Sequence, residues 1–414
     1  MNGTIKASGA RGGSRQRRPR YRLMVTGVTI AMLLAACGSG AASPSAAPAT
    51  AAPASAAPAS AAPATAAPAT AAPASAAPAS ASASAAACAP SGKVAFLLPD
   101  NTTPRWTSQD APFFKNWMQK LAPSVEVIES VANNDPQAQL SQATSALTQG
   151  AKVLVVTAVD GVQAAKIVEA ATAQNVPVIA YTRQIQNAPV KYMMGDDPFA
   201  IGVALGTWIK DNTKDGDTIA VIAGSTTDSF AHIERDGWMS ILKPLFDSGA
   251  RKMVGDVYTP GWEPAKAHSE MDAILTSTQG DIQAVLAAND STAEGSIASL
   301  QTHGLAGKIP VTGIDATLSA DQLILKGLQS MSVWRSVDDL AQGTAKAVVA
   351  LMCGQEAPAE LFTTKVNNGV ADIPMFVIPS IVIDKTNMQK LLDVNAISKA
   401  DLCKGIPAGT GPCN

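Results

Sequence analysis

From Lys93 onward, short apolar runs alternate with longer stretches whose apolar residues recur at helical spacing. The runs Val94 to Leu98, Val125 to Val131, Lys152 to Val156 and Val176 to Ala180 predict strands, and the pattern weakens over 183–198, around the short segment Tyr192 to Met194, where a break between domains is expected. Between them, Phe113 to Leu121, Pro136 to Thr148 and Val162 to Gln174 predict helices, the second opened by proline at its first turn. The rhythm resumes with helix 198–212, strand 218–223, helix 231–247, strand 253–258, helix 264–277 and strand 282–287. It ends with helix 291–303, strand 310–313, helix 319–327, strand 330–334 and helix 338–352. Strands that are apolar along their whole length are buried on both faces, as in parallel sheets covered by helices on both sides. The chain is therefore read as α/β, with doubly wound parallel sheets. So many strand–helix units would make one sheet unusually wide. Two similar lobes joined by a hinge are expected, the first over 93–195 and completed by about 336–360. The second would run over 196–335 and be completed by about 374–395, with one strand, Met375 to Ile383, in an irregular tail. Residues 396–414 form a cysteine-containing end.

The residues between the N-terminal segment and Lys93 cannot form a core of their own. From Gly38 to Pro90, 53 residues are almost entirely Ala, Pro, Ser and Thr, and the first charge after Arg22 is Lys93. Such a segment has no large apolar side chains to offset the entropy of ordering. The unit AAPA[ST] runs seven times between Ala46 and Ser80, and a proline in each repeat removes a backbone donor and opposes a helix. Residues 38–92 are read as an extended, semi-stiff linker.

Residues 1–37 read as an export signal. The first 22 carry seven basic side chains and no acid, and Leu23 to Ala36 is an uncharged apolar run of 14 residues. As a helix that run spans about 21 Å, short of a hydrocarbon core of about 30 Å. Leu34-Ala35-Ala36-Cys37 resembles the lipobox of bacterial lipoproteins, which implies a lipid on Cys37 and an anchor on the outer face of the cytoplasmic membrane. Arg17-Arg18 leaves the general and twin-arginine export routes open. The net charge of −2 averages unlike parts, since the chain after residue 22 holds 24 basic and 33 acidic groups. That acidic balance argues against a nucleic-acid partner.

In α/β folds of this kind, ligands sit beyond the carboxyl ends of the strands. The residues found there are Arg105 and Trp106, Thr182 and Arg183, Ser225 and Asp228, Trp262, Asn289 and Asp290, Asp315, and Arg335. Carboxylates, amides and guanidinium groups match the hydroxyls of a neutral polyol, and indoles cover the C–H face of a sugar ring. Taken singly, Asp290 or Asp315 reads more readily as a helix cap than as a ligand, Trp106 or Trp262 equally well as packing, and Arg183 also as a surface ion pair. Their recurrence at one structural place in both halves favours a cleft. Catalysis is not expected: His232, His268 and His303 fall in or beside helices, and no zinc-protease, nucleophile-elbow or phosphate-loop pattern occurs. No cofactor or metal is expected, and Gly224, alone after its strand, carries no signal.

Several stretches resemble the sugar-binding proteins of bacterial ABC importers, in the ribose, galactose and xylose class, and most nearly the D-xylose-binding members. They include PRWTSQD, VGDVYTPGWEPAKAHSEMDAIL and LAANDSTAEGSIASLQTHGLAGKIPVTGIDA, followed by MSVWRSVDDLAQGTAKAVVALMCGQEAP. The resemblance covers roughly residues 92–400 and implies two lobes closing around one sugar. It implies that Arg105, Trp106 and Arg183 reach the sugar from the first lobe, and Asp228, Trp262, Asn289 and Asp315 from the second. Arg335 would stand near the hinge where the xylose-binding members have lysine, and Arg235 would brace the cleft. Thr182 stands in place of an aspartate, Phe230 of an asparagine and Pro104 of a glutamate. D-Xylose is the expected ligand, with glucose, arabinose and ribose as alternatives. The expected partner is an ABC permease, or a membrane signalling protein if the role is sensing, and the protein is expected to act as a monomer. A cytosolic sugar-responsive regulator with the same core is disfavoured by the export signal.

With Cys37 lipidated, Cys88, Cys353, Cys403 and Cys413 permit two disulfides in three connectivities. The pairing expected is Cys403 with Cys413 and Cys88 with Cys353.

Overall fold

A computed structural model describes residues 88–414. The expected export signal 1–37, Cys37 and the linker as far as Ala87 lie outside the described residues.

Strand β1 (Gly92–Leu98) lies inside the first sheet because its residues from Val94 to Leu98 are apolar towards both faces, and all are fully buried. It is followed by α1 (Ala111–Leu121), β2 (Val125–Val131), α2 (Pro136–Thr148), β3 (Ala151–Val156), α3 (Ala165–Thr172), β4 (Val178–Tyr181) and β5 (Tyr192–Gly195). Asp135 caps α2 by accepting from the amides of Gln137 and Ala138, so this helix begins at Pro136 as its sequence predicts. The second lobe contains α4 (Pro198–Asp211), β6 (Thr218–Ala223), α5 (Ser229–Asp247), β7 (Lys252–Tyr258), α6 (Pro264–Thr278), β8 (Ala284–Ala287), α7 (Asp290–Thr302), α8 (Leu318–Leu325) and β9 (Met331–Arg335). The chain continues through α9 (Val337–Met352), β10 (Thr364–Asn367), β11 (Asp372–Val377) and β12 (Ser380–Asp384).

The first sheet has seven strands in the order β10-β11-β5-β4-β3-β1-β2, parallel except for β10. On one face Phe96 and Tyr181 pack with Phe114 and Met118 of α1 and Leu340 of α9. On the other, Leu97 and Leu154 pack with Ala143 of α2 and Ile167 of α3. In the second lobe β7, β6 and β8 are parallel, and β9 pairs antiparallel with β12. Its two core layers join Val221 to Leu205 and Trp238 on one face, and Ile222 to Met271 and Ile297 on the other.

Three expectations are corrected. The strand expected over 310–313 is reduced to single bridges, Val311 with Val285 and Ile314 with Val333, which link β8 to β9. The helix expected over 162–174 is confined to α3, because Asp160 captures the amides of Val162 and Gln163 and holds that stretch in a turn. The single tail strand Met375 to Ile383 is two strands in different lobes: β11 pairs with β5, and β12 with β9. Pro379 lies between them, where a ladder donor would be missing. Residues 374–377, assigned to the second lobe, therefore belong to the first sheet.

The chain crosses between lobes three times, after β5, after β9 and after β11. The last residues pack on the second lobe, with Leu402 and Cys413 against Leu325 of α8 and Ile383 of β12. Cys403 stands beside Cys413 with 5.3 Å between Cα atoms, and Cys88 beside Cys353 with 6.0 Å.

Candidate binding site

The carboxyl ends of both sets of strands frame a cavity with about 370 Å³ of space between atoms. All eight residues expected there line it, namely Arg105, Trp106, Arg183, Asp228, Trp262, Asn289, Asp315 and Arg335. Thr103, Thr182, Phe230 and Ile314 complete the wall.

Arg105 begins a wide, π-type helical turn, Trp106–Asp110, that leads into α1. Its Nε and Nη2 donate to the two carboxylate oxygens of Asp110 at 2.9 and 2.8 Å, and its Nη1 donates to Oδ1 of Asp315 at 3.2 Å. Burial opposes the charge on Arg105, yet Asp110 and Asp315 hold its pKa well above the ordinary value. Tyr181 donates its hydroxyl to Asp110 at 2.8 Å, and burial followed by the Asp110 charge pushes that phenol well up. The indole of Trp106 donates to Asp100 at 3.2 Å, and the guanidinium carbons of Arg105 and Arg183 lie 4.7 and 5.5 Å from its ring centroid.

Arg183 pairs through Nε with Asp228 at 2.6 Å and donates to the Ala158 carbonyl at 3.1 Å. Asp228 has a double duty. Its Oδ1 caps α5 by accepting from the Phe230 amide at 2.9 Å, and its Oδ2 accepts from the Trp262 indole at 3.1 Å. Burial outweighs these partners and raises the carboxyl above its ordinary pKa. Trp262 packs against Gly224, where a Cβ would come within 2.1 Å of the indole ring. Phe230 meets Trp262 edge-on, with ring centroids 6.4 Å apart.

Asn289 forms a capping box with Thr292 at the start of α7, its Oδ1 accepting at 2.9 Å, so its NH2 group is what it offers to the cavity. Asp315 accepts from Arg105 and, at 2.8 Å, from Nη2 of Arg335. Burial raises Asp315 against the pull of both arginines. Arg335 also pairs with Asp196, and its guanidinium carbon is 5.6 Å from the Phe230 ring centroid. Thr182, Trp262 and Asp315 have φ of +55°, +57° and +104°, a backbone state uncommon outside glycine that clusters at functional sites.

Residues flagged by sequence but outside the wall have other work. Asp290 is buried behind Asn289 and accepts from Thr317, Gln329 and Ser332, while Ser225 lies beside Thr227. Arg235 pairs with Asp256 and Pro104 is exposed, so neither lines the cavity. The sequence reading missed Asp100, Asp110 and Asp196, which hold the site arginines and Trp106, and dismissed Gly224. Asp196 and Gly224 follow β5 and β6 directly and Asp100 stands two residues past β1, so the strand-end rule itself was the signal.

Two α/β lobes around one cavity at their strand ends define a two-lobed binding protein. The chain belongs to the periplasmic binding protein family: residues 94–356 match the family described as "Periplasmic binding protein domain". It is 33% identical over 297 residues to the D-xylose-binding periplasmic protein of Escherichia coli (strain K12), covering 72% of this chain and 88% of that one. It is also 33% identical over 334 residues to the multiple sugar-binding periplasmic receptor ChvE of Rhizobium radiobacter, covering 76% and 93%. Among solved structures, an ABC transporter solute-binding protein from Clostridium phytofermentans with bound β-D-glucose is 30% identical, with a TM-score of 0.69, covering 75% of this chain and 99% of that one. A carbohydrate transporter solute-binding protein from Chloroflexus aurantiacus in complex with D-glucose is 26% identical, with a TM-score of 0.68, covering 74% and 97%. The family binds its substrates and does not transform them.

Proposed function

We propose that this protein captures a neutral monosaccharide, D-xylose first among the candidates, outside the cytoplasm and delivers it to the membrane subunits of an ABC importer. One observation carries the reading. Each cavity arginine is already matched by a buried carboxylate, while Thr103 Oγ1, Thr182 Oγ1 and Arg335 Nη1 are buried without hydrogen-bond partners. An anion would find the positive charge spent. A polyol would supply the missing partners, with Trp106 and Trp262 covering its C–H faces. Thr182 and Phe230, which replace polar residues of the xylose-binding members, both line the cavity. D-Glucose is the second reading, favoured by the two glucose-bound structures.

Capture follows from geometry. Arg105 with Asp315 and Arg183 with Asp228 join the lobes, and a sugar touching both walls favours the closed form because those contacts exist only there. The test is calorimetry of the purified protein against pentoses and hexoses. Saturable binding of one monosaccharide is expected, and heat from none of them would sink the proposal.

The lipobox supports anchoring through Cys37, with the Ala/Pro-rich linker as a tether that raises the local concentration near the permease. Cys37→Ser should release the protein from membranes; retention there would refute the anchor. Cys88–Cys353 and Cys403–Cys413 are proposed as disulfides, and intact mass should rise by four hydrogen atoms, two per bond, on reduction.

A further inference from the structure

A second cavity, of about 680 Å³ including its open mouth, adjoins the first through a shared wall of Thr182 and Phe230. It lies between the lobes. Met193 of β5 with Met375 and Val377 of β11 line one side, and Pro198 of α4 with Ile233 of α5 line the other. The buried methionines make part of the lining apolar, with Met193 4% and Met375 7% exposed, while Gln184, Asp197, Ser229, Thr364 and Lys365 line the rest. The shared wall is mixed too. Thr182 is only 3% exposed, its Oγ1 has no partner in the protein, and its backbone is held at φ +55°. A hydroxyl placed so, between a polar cavity and a partly apolar one, suits an oxygen that joins a polar group to an apolar one.

We propose that the second cavity receives an apolar O-substituent of the bound sugar, so that the protein takes alkyl or aryl glycosides as well as the free monosaccharide. The sugar ring lies in the first cavity, Thr182 donates to the linking oxygen, and the substituent passes Phe230 to lie among Met193, Met375 and Ile233. No bond is made or broken. The inference rests on the monosaccharide reading above and adds a chemical class to it.

The experiment is calorimetry of the full chain with its best free sugar and with the methyl, butyl and phenyl glycosides of that sugar, in both anomers. Each methylene moved from water into an apolar cavity strengthens binding about fourfold. For one anomer, the butyl glycoside should therefore bind about tenfold or more tighter than the methyl glycoside. Ile233→Trp, which fills the second cavity, should abolish that gain while leaving the free sugar within about twofold of its original affinity. Val366→Asp, on the same cavity's half-buried rim, should do likewise and guards against a folding defect in the first variant. Tight free-sugar binding with no gain from methyl to butyl in either anomer would overturn the inference and leave the reading intact. So would a gain that both variants preserve. Failure of free and substituted sugars alike would remove the monosaccharide reading and this inference with it.

Discussion

The first lobe faces the cleft with two guanidinium groups, Arg105 and Arg183, whereas the second faces it with the carboxylates of Asp228 and Asp315. The interiors differ as well. In the first lobe the buried acids Asp100 and Asp110 are consumed by hydrogen-bond donors. In the second, Glu234 and Asp321 are fully buried with no partner for either oxygen, and burial pushes both well above the ordinary carboxyl range. Arg105 is thus neutralised within its own lobe by Asp110, whereas Arg183 finds its near carboxylate, Asp228, only when the lobes meet. Charge pairing across the cleft and ligand binding are parts of the same event.

The comparison breaks most severely at Asp315, the carboxylate shared by Arg105 and Arg335. Asp315→Ala leaves two buried cations without it and should weaken sugar binding roughly a hundredfold or more in calorimetry. Next comes Gly224→Ala, whose methyl would strike the Trp262 indole. Displacing that ring should cost roughly tenfold in affinity, and the overpacking should also lower fold stability by about 1–3 kcal/mol. If affinity holds, the indole is not a sugar platform.

Asp321 tests the interior half of the comparison. Its ordinary pKa is 3.8 and burial raises it far above that in the fold, so the native state keeps a proton that the unfolded chain releases above about pH 4. Stability is therefore full below that pH and falls as pH rises, by up to about 1.4 kcal/mol per unit, until the folded pKa is passed. Asp290, raised to about 7 by burial and the nearby Asp315 charge, contributes with the same sign between about pH 4 and 7. Asp321→Asn should flatten the decline of melting temperature between pH 5 and 8. An unchanged slope would show that the proton sits elsewhere. The smallest effect is expected of Arg235→Ala, because that side chain pairs with Asp256 outside the cavity. Its affinity should stay within about twofold, as partly exposed pairs contribute little.

The α/β alternation was legible because fully apolar strands and amphipathic helices differ in period and length, and β6 matches its expected bounds residue for residue. The cavity residues were legible for a topological reason: parallel strands deliver their following residues to one edge. What stayed hidden is decided by tertiary contact. No local pattern says that Asp110 will clamp Arg105 or that an indole will lie on Gly224. Nor does hydrophobicity distinguish one apolar strand from two that part at Pro379 for different lobes.

That parting has a consequence for how the molecule is made. The first lobe needs α9 and β11, which the chain supplies only after all of α4 to β9. The first lobe to be synthesised is thus the one that must wait. Its sheet stays open at β5 until nearly the whole chain is available, and the second lobe completes its own edge only with β12. A chain that stalls short of Asp372 would present two unfinished sheet edges at once, the kind of surface that recruits chaperones or aggregates.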